Sequence, residues 1–252
     1  MKQYRKLKNS AIVVTALALL TGCGGEPSDL NHNGIQYGTV KSPYTGRIWM
    51  DKNVGAQRVC LYSTDEECYG DYFQYGRSAD GHEKKDSQTR ETKITYLDKS
   101  DDKFYVGNDS LWFEGSLGIL EENWKKLDGS SVCPKNFRVA TGNEYYNEFL
   151  RDGSSVEAEI PEDVFKTFLK LPKAGFRYDN SDTVSEDTIA ALLEVGDSVV
   201  YWTLGGDSLS TNYYGRVDIN DMCVLYTLGK PIRCIKATKE EIEEAKERRK
   251  NN

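Results

Sequence analysis

The amino-acid sequence predicts an α+β fold, with strands near both ends of the chain and helices between them. The opening strands are expected at residues 37–40 and 46–51, which flank a Pro-Tyr-Thr-Gly turn. The closing strands are rich in β-branched and aromatic residues, and we expect them at residues 199–203, 216–219, 222–227 and 232–235. Because the strands are grouped instead of alternating with helices, the pattern favours α+β over α/β.

Two helices are predicted from their N-terminal signals. Thr141 and Glu144 have the spacing of a capping box, in which each side chain accepts a hydrogen bond from the other residue's backbone N–H. That helix is expected to end near residue 150, and a second short helix is expected to begin at Pro161. The remaining polar or charged stretches are expected to be loops at 76–103 and 104–131 and a solvated helix in the charged C-terminal tail, 239–252.

Residues 1–22 have the pattern of a secretory signal peptide, in which four cations and no acid precede a short apolar run at 11–20. That run is too short to span a bilayer of about 30 Å. Residues 20–23 read Leu-Thr-Gly-Cys and resemble the lipobox of bacterial lipoproteins, in which the cysteine becomes the lipidated N-terminus. We therefore expect lipidation of Cys23 and a flexible stalk over 23–36. The alternative is an ordinary signal peptide with a chance cysteine.

Charge restricts the partners of the exported chain. Loss of the signal peptide removes four cations and changes the formal net charge from −7 to −11. Such acidity argues against nucleic acid, whose phosphates require basic patches. The membrane is expected to be a partner through the N-terminal lipid alone. Because residue 24 is not Asp, we expect the outer membrane of a host that has one, facing either the periplasm or the outside.

Five cysteines remain when the lipidated one is set aside, an odd number in an exported chain that can form disulfides. Cys60 and Cys68 flank a polar turn and are expected to pair. Cys133 and Cys234 lie at the edges of two predicted strands and are expected to form a long-range bridge. Cys223 is then the unpaired thiol, and a bridge between Cys223 and Cys234 across a hairpin is the alternative.

No catalytic or metal site is expected from the sequence. His82 follows Asp80 in a polar loop, where a base beside a carboxylate is possible in principle. We favour local hydrogen bonding, because no nucleophile motif accompanies it. The cysteines lack the spacing of zinc ligands. Calcium is the one cofactor with a candidate site, since oxygen-bearing side chains cluster at residues 179–182 and 218–221, as they also do in ordinary turns.

The tryptophans are candidates for binding a ligand through their large aromatic faces. Trp49 and Trp202 lie in strand-like runs and are expected in the core. Trp112 and Trp124 lie in segments rich in loops, so we predict that these two are exposed and contribute to a binding surface.

Several motifs, in this order, resemble the Fibrobacter succinogenes major paralogous domain over residues 37–238. They are SPYTGRIWMDKNVGA at 42–56, CYGDYFQYGR at 68–77, DGHE at 80–83, VCPKNFRVAT at 132–141, LPKAGFR at 171–177, YWT at 201–203 and IRCI at 232–235. The resemblance implies a C-type-lectin-like or sulfatase-modifying-factor-like fold, in which the chain ends pair and long loops are displayed. It supplies no catalytic residues, and the calcium motifs of lectins, such as Glu-Pro-Asn, are absent.

These observations together predict a lipid-anchored cell-envelope protein that is a non-catalytic binding module, with loops for a glycan or a protein ligand. One alternative is a structural or envelope-interaction lipoprotein without a small ligand. The other alternative is an enzyme of unknown reaction.

Overall fold

The computed structural model describes residues 30–97, 101–107, 109–149, 161–179, 190–211, 217–220 and 225–250. Cys23 and the signal peptide lie outside these ranges, as does Cys223. Of the calcium candidates, Asn180, Asp182 and Asp221 also lie outside the described residues, and only the backbone is described for the strand residues Asp179, Asp218 and Asn220.

Short strands and helices alternate irregularly along the chain, which is a mixed α+β architecture. The strands are β1 (Leu30–His32), β2 (Ile35–Tyr37), β3 (Thr39–Lys41), β4 (Ile48–Met50), β5 (Thr89–Arg90), β6 (Phe104–Tyr105), β7 (Phe137–Val139), β8 (Phe176–Asp179), β9 (Ala190–Leu193), β10 (Val200–Trp202), β11 (Ser208–Thr211), β12 (Val217–Asn220) and β13 (Cys234–Lys236). The helices are α1 (Leu117–Trp124), α2 (Gly142–Phe149), α3 (Pro161–Lys166) and α4 (Lys239–Lys250).

The central sheet has the strand order β3-β4-β13-β7 and joins the two ends of the domain. Ile235 of β13 lies opposite Trp49 of β4 on one side and opposite Arg138 of β7 on the other. A second sheet has the order β10-β11-β12, and the pairs β1-β2, β8-β9 and β5-β6 are separate; β5-β6 is parallel. The opening hairpin is thus confirmed. Residues 225–227, predicted as strand, instead lie in a turn.

Both faces of the central sheet are covered, because successive strand residues point to opposite sides. Met50 and Cys234 face a larger core, while their neighbours Trp49 and Ile235 face a smaller one with the helix α2. The larger core also contains Trp112, Trp124 and Trp202. A polar chain of this size can therefore bury two aromatic clusters around one thin sheet.

Helix α2 has the predicted capping box. Thr141 Oγ1 accepts from the N–H of Glu144 at 3.2 Å, and Glu144 Oε2 accepts from the N–H of Thr141 at 2.9 Å. The other end of α2 is fixed by Glu148, a buried carboxylate that accepts from the Thr45 hydroxyl at 2.6 Å and the Trp49 indole N–H at 3.0 Å. The Ser42 hydroxyl donates to it as well. These bonds attach α2 to the hairpin β3-β4.

Helix α1 is a feature that the loop prediction for 104–131 missed. Its buried residues Leu120 and Trp124 are four apart, and the buried Leu127 follows the helix by three residues. This is the spacing of one helix face. Segment 76–103 is likewise not all loop, since it contains β5.

The prediction of a flexible stalk over 23–36 is wrong from residue 30 onward, because residues 30–37 form the β1-β2 hairpin. His32 in this hairpin is buried, and its ring Nε2 lies 3.0 Å from the carbonyl oxygen of Val132. No helix within the described residues is long and apolar enough to cross a membrane.

The two disulfides are the pairs expected from the sequence. Cys60 is joined to Cys68 across a sequence separation of 8, and Cys133 is joined to Cys234 across a separation of 101. The second bridge ties the segment before β7 to the last strand of the same sheet. All four cysteines are buried, so both bridges are part of the core.

Candidate functional site

The candidate site is a cleft of about 400 Å³ between the loop at residues 77–80, the strip at residues 94–97 and helix α1. We call it the Tyr96 cleft, because Tyr96 is its most exposed aromatic side chain, with 57% of its surface accessible. Concave sites with an aromatic wall and a few converging polar groups are the usual form of small-ligand sites. None of the described helices or sheets alone forms this cleft. It depends on how the loop at 77–80 and the strip at 94–97 meet α1.

Helix α1 lies directly against the loop because residue 76 is glycine. Gly76 has a φ of +76°, and a Cβ added there would lie 2.3 Å from Cβ of Leu120. The α1 side chain Asn123 donates to the Gly76 carbonyl at 2.9 Å, and the Trp124 indole N–H donates to the Arg77 carbonyl at 2.9 Å. Any larger residue at position 76 would push α1 away and open the cleft.

Arg77 holds the loop around the cleft through backbone acceptors. Its guanidinium is buried and donates to the carbonyls of Lys103, at 3.0 Å, and Asp101. It also donates to Gln74 Oε1 at 3.0 Å and to Asp80 Oδ2 at 2.9 Å. Because its donors are used in this way, Arg77 positions the Asp80 carboxylate rather than binding a ligand itself.

His82 supports Asp80 from the interior and is completely buried. The backbone N–H of Gln74 donates to Nε2 at 3.1 Å, so Nδ1 carries the ring proton, and it lies 2.6 Å from Asp80 Oδ1. Burial, opposed only in part by the Asp80 carboxylate, lowers the pKa of His82 to about 4. The ring is therefore neutral at physiological pH, and both of its nitrogens are occupied by protein groups. Local hydrogen bonding, the favoured interpretation, agrees with this geometry.

Asp80, His82 and Glu83 each place a potential ligand atom within 4.8 Å of the others, and within the described residues they are the group that most resembles a metal site. A cation on Nδ1 would have to replace the proton shared with Asp80. Metal-bound histidines normally donate a hydrogen bond from their other nitrogen. Here Nε2 accepts one, so loss of the proton would leave an imidazolate. Glu83 Oε2 accepts from the N–H of Gly81. We interpret the group as a hydrogen-bond network.

Asp80 is the charged acceptor that the cleft presents. Burial on its own would raise the pKa of Asp80, but the hydrogen bond from His82 and the charge of Arg77 outweigh it and hold the pKa below its ordinary value. The carboxylate is consequently ionised and held in one orientation from two sides, while 16% of its side chain remains accessible at the cleft.

Asn123 of α1 arranges a hydroxyl group on the loop 77–80 and an ammonium group just beyond the end of the helix. The Asn123 amide donates to Ser78 Oγ at 3.0 Å, and its oxygen accepts from Lys126 Nζ at 2.7 Å. Asn123 is buried, whereas Lys126 is exposed. The Asn123 amide thus fixes the Ser78 hydroxyl and the Lys126 ammonium group relative to each other.

The apolar side of the cleft is formed by the strip at 94–97, whose backbone pairs with residues 112–114. The N–H of Ile94 donates to the Trp112 carbonyl at 3.1 Å, and the N–H of Glu114 donates to the Ile94 carbonyl at 3.0 Å. This pairing leaves Tyr96 at the rim with Leu97 beside it. An exposed aromatic ring next to fixed polar groups is a suitable platform for a ligand that is apolar on one face and polar at its edges.

The prediction of exposure for Trp112 and Trp124 is wrong, because both side chains are completely buried. Trp112 donates its indole N–H to the Tyr75 carbonyl at 2.9 Å, and its ring lies beneath the Arg77 guanidinium, 5.2 Å from the ring centroid. Loops in this domain fold inward and satisfy the indole N–H with backbone oxygens. Trp112 therefore forms part of the cleft floor as core structure, and the exposed aromatic group of the site is Tyr96.

A second arginine fixes the same loop on its far side. Arg177 of β8 donates to the carbonyls of Lys84 at 2.8 Å and Ser87 at 2.7 Å, and to the Ser87 hydroxyl at 2.6 Å. Its guanidinium stacks 4.2 Å from the centroid of Phe104. Burial lowers the pKa of Arg177 to about 10. Segment 77–87 is thus held at both ends by buried arginines.

No protein-family model matches the chain. Neither the curated proteins nor the solved structures contain a match.

Sequence reasoning found His82 and Asp80 but missed Tyr96, Ser78 and Lys126. Lys126 lies two residues past the end of α1, so the helix spacing that identifies Leu120 and Trp124 does not identify it. Tyr96 has no signal either, because a single tyrosine in a polar segment is found in cores and on surfaces alike. The structure brings Asp80 and Lys126 to the same cleft across 46 positions of sequence.

Proposed function

We propose that this chain is a lipid-anchored cell-envelope protein of the Fibrobacter succinogenes major paralogous type, and that it binds a carbohydrate in the Tyr96 cleft without catalysing a reaction. The observation that carries the proposal is the cleft itself, in which an exposed tyrosine faces a pre-oriented carboxylate, hydroxyl and ammonium group.

Sugars suit this combination of groups. A pyranose ring has an apolar face of C–H groups that packs on an aromatic ring, and hydroxyls at its edge that both donate and accept hydrogen bonds. Tyr96 supplies the aromatic surface, Asp80 accepts, Lys126 donates and Ser78 can do either. The polar groups are already fixed by Arg77 and Asn123, so little conformational entropy is lost when they bind.

A carbohydrate is favoured over a protein ligand by the size and shape of the site. A standard protein interface covers about 800 Å² on each partner. The Tyr96 cleft is a concave space of about 400 Å³, which is in the range of small-molecule sites.

Binding is favoured over catalysis by the state of His82. A general base needs an available lone pair and a pKa near the working pH. The Nε2 lone pair of His82 accepts from the Gln74 N–H, and its Nδ1–H donates to Asp80. The pKa of His82 is about 4. The carboxylate of Asp80 is likewise held ionised, so it is a poor proton donor.

The pairing of the last strand, β13, with β4 of the opening hairpin supports a C-type-lectin-like arrangement. In that arrangement the chain ends lie together and the loops extend on the other side. The β1-β2 hairpin precedes this sheet and brings the chain towards the proposed anchor at Cys23.

The carbohydrate proposal is tested with residues 24–252 on a glycan array, followed by calorimetry on each positive glycan. Tyr96→Ala is expected to weaken binding about tenfold, because an aromatic contact contributes about 1–1.5 kcal/mol. Tyr62→Ala is the matched control, since Tyr62 has a similar exposure of 56% and does not line the cleft. The proposal fails if no glycan binds, or if the two variants bind equally well.

The anchor is tested separately in the full-length chain. Cys23→Ser is expected to move the protein from the membrane fraction to the soluble exported fraction and to abolish incorporation of labelled palmitate. If the variant is still acylated and still sediments with membranes, the lipobox assignment is wrong.

A further inference from the structure

A second cleft lies on the other flank of helix α1. It has a volume of about 430 Å³, and its floor includes Leu204 and Ile219. Its rim contains Tyr146 of α2, whose side chain is 53% accessible. We call this space the Tyr146 cleft.

The geometry of α1 explains why the two clefts are separate yet adjacent. Successive residues of a helix are turned by about 100°, so residues three or four apart share a flank. Glu121 and Lys125 project into the Tyr146 cleft. Asn123, and Lys126 just past the end of the helix, line the Tyr96 cleft. The buried Leu120 and Trp124 fix the rotation of α1, which makes the helix a ridge between the two spaces.

Both clefts contain the same set of side-chain types. Each has one exposed tyrosine, one lysine, one asparagine and one aspartate, namely Tyr96, Lys126, Asn123 and Asp80 in the first and Tyr146, Lys125, Asn143 and Asp207 in the second. Lys125 is bonded to Glu121 at 2.6 Å, and both side chains remain partly accessible.

The second carboxylate is also fixed by the protein. Thr203 Oγ1 donates to Asp207 Oδ1, and a Cβ added at Gly142 would lie 2.9 Å from Asp207 Oδ2. Asp207 therefore lies against the first residue of α2, where the helix dipole favours a negative charge. Because the chain's own carboxylate occupies this position, the cleft is unsuited to an anionic ligand and suited to an uncharged one with hydroxyl groups.

The outward face of α1, opposite the buried Leu120 and Trp124, carries Gly118 and Glu122, and the Glu122 side chain is 60% accessible. Leu117 and Ile119 are also exposed, with accessible fractions of 39% and 49%. Between them Gly118 adds no side chain to this face, and a Cβ there would have Ser116 Oγ as a neighbour at 3.9 Å.

We propose that the Tyr146 cleft is a second subsite for the same ligand, and that this ligand is an uncharged polysaccharide chain which crosses the outward face of α1. The inference rests on the proposed carbohydrate function of the Tyr96 cleft. A helix with its side chains is about 10–12 Å wide, so a disaccharide occupies one cleft and a longer oligosaccharide reaches both. Occupation of two linked subsites raises affinity without any new type of contact.

The test uses calorimetry on residues 24–252 with the cello-, xylo-, malto-, laminari- and manno-oligosaccharide series, each from disaccharide to hexasaccharide. In the series that binds, the hexasaccharide is expected to bind at least tenfold more tightly than the disaccharide. Tyr146→Ala is expected to remove that gain and to leave disaccharide affinity unchanged. Tyr62→Ala is the control, and thermal unfolding verifies that each variant is folded.

The outcomes separate the two proposals. If Tyr96→Ala weakens binding while Tyr146→Ala behaves as Tyr62→Ala for every chain length, the second subsite is refuted and the carbohydrate function stands. If affinity does not rise with chain length, the crossing of α1 is refuted in the same way. If none of the five series binds, an uncharged polysaccharide is the wrong ligand class, and the glycan array then decides the carbohydrate function independently.

Discussion

Removal of the Cys133–Cys234 bridge is expected to destabilise the domain far more than removal of the Cys60–Cys68 bridge. The bridges close loops with sequence separations of 101 and 8 residues. In the chain-entropy description, the stabilisation grows with the logarithm of the loop length, which gives about 4.7 kcal/mol for the long loop and about 2.5 kcal/mol for the short one. All four sulfur atoms are buried, so replacement by alanine removes similar apolar contacts at both sites.

The comparison is made with two double variants, Cys133→Ala with Cys234→Ala and Cys60→Ala with Cys68→Ala, in residues 24–252. Unfolding is followed in urea by tryptophan fluorescence and by far-UV circular dichroism, and coincidence of the two signals verifies a two-state transition. The free energy of unfolding should differ between the variants by about 2 kcal/mol. An equal loss in the two variants, or a greater loss for the short loop, would refute the argument from loop length.

Three further predictions concern His82, Glu148 and Cys223. Since the pKa of His82 is about 4 in the folded chain and about 6.5 when unfolded, the unfolded state binds the proton first. Stability measured by urea titration should therefore fall by about 3 kcal/mol from pH 6.5 to pH 4, and His82→Gln should flatten this slope. Glu148→Gln should cost about 1–3 kcal/mol of unfolding free energy, because its amide oxygen can replace Oε1 but its NH2 group then faces the Ser42 hydroxyl, which already accepts from two backbone N–H groups; an unchanged urea midpoint would contradict this. Denatured, unreduced residues 24–252 should react with one equivalent of iodoacetamide, at Cys223 by peptide mass mapping, and two or more equivalents would contradict the assigned bridges.

The parts of the fold that could be predicted from the sequence are those with a local chemical signal. The capping box of Thr141 and Glu144 predicts the start of α2 because both hydrogen bonds form within one helical turn. The pairing of Cys60 with Cys68 is local as well. Each of these features is decided by residues that lie close together in the chain, so tertiary packing has little opportunity to override them.

The site could not be predicted in the same way, because its geometry depends on distant contacts. Trp112 and Trp124 lie in polar segments, and their burial is set by the carbonyls of Tyr75 and Arg77, which are 37 and 47 positions away. His82 has a local partner in Asp80, but its complete burial depends on packing against Phe73. Composition and periodicity contain no information on such partners. Hence the sequence indicates which residues carry chemistry but not which of them share a cleft.

The two buried arginines that hold segment 77–87 have a consequence for how this protein diversifies. Arg77 and Arg177 bond largely to backbone carbonyls, and every residue type supplies a carbonyl. Substitutions at exposed positions such as Lys85 and Asp86 therefore leave the path of the loop unchanged while they alter its outer surface. A variant of this chain with the two arginines retained can therefore accept a different loop surface without a new fold.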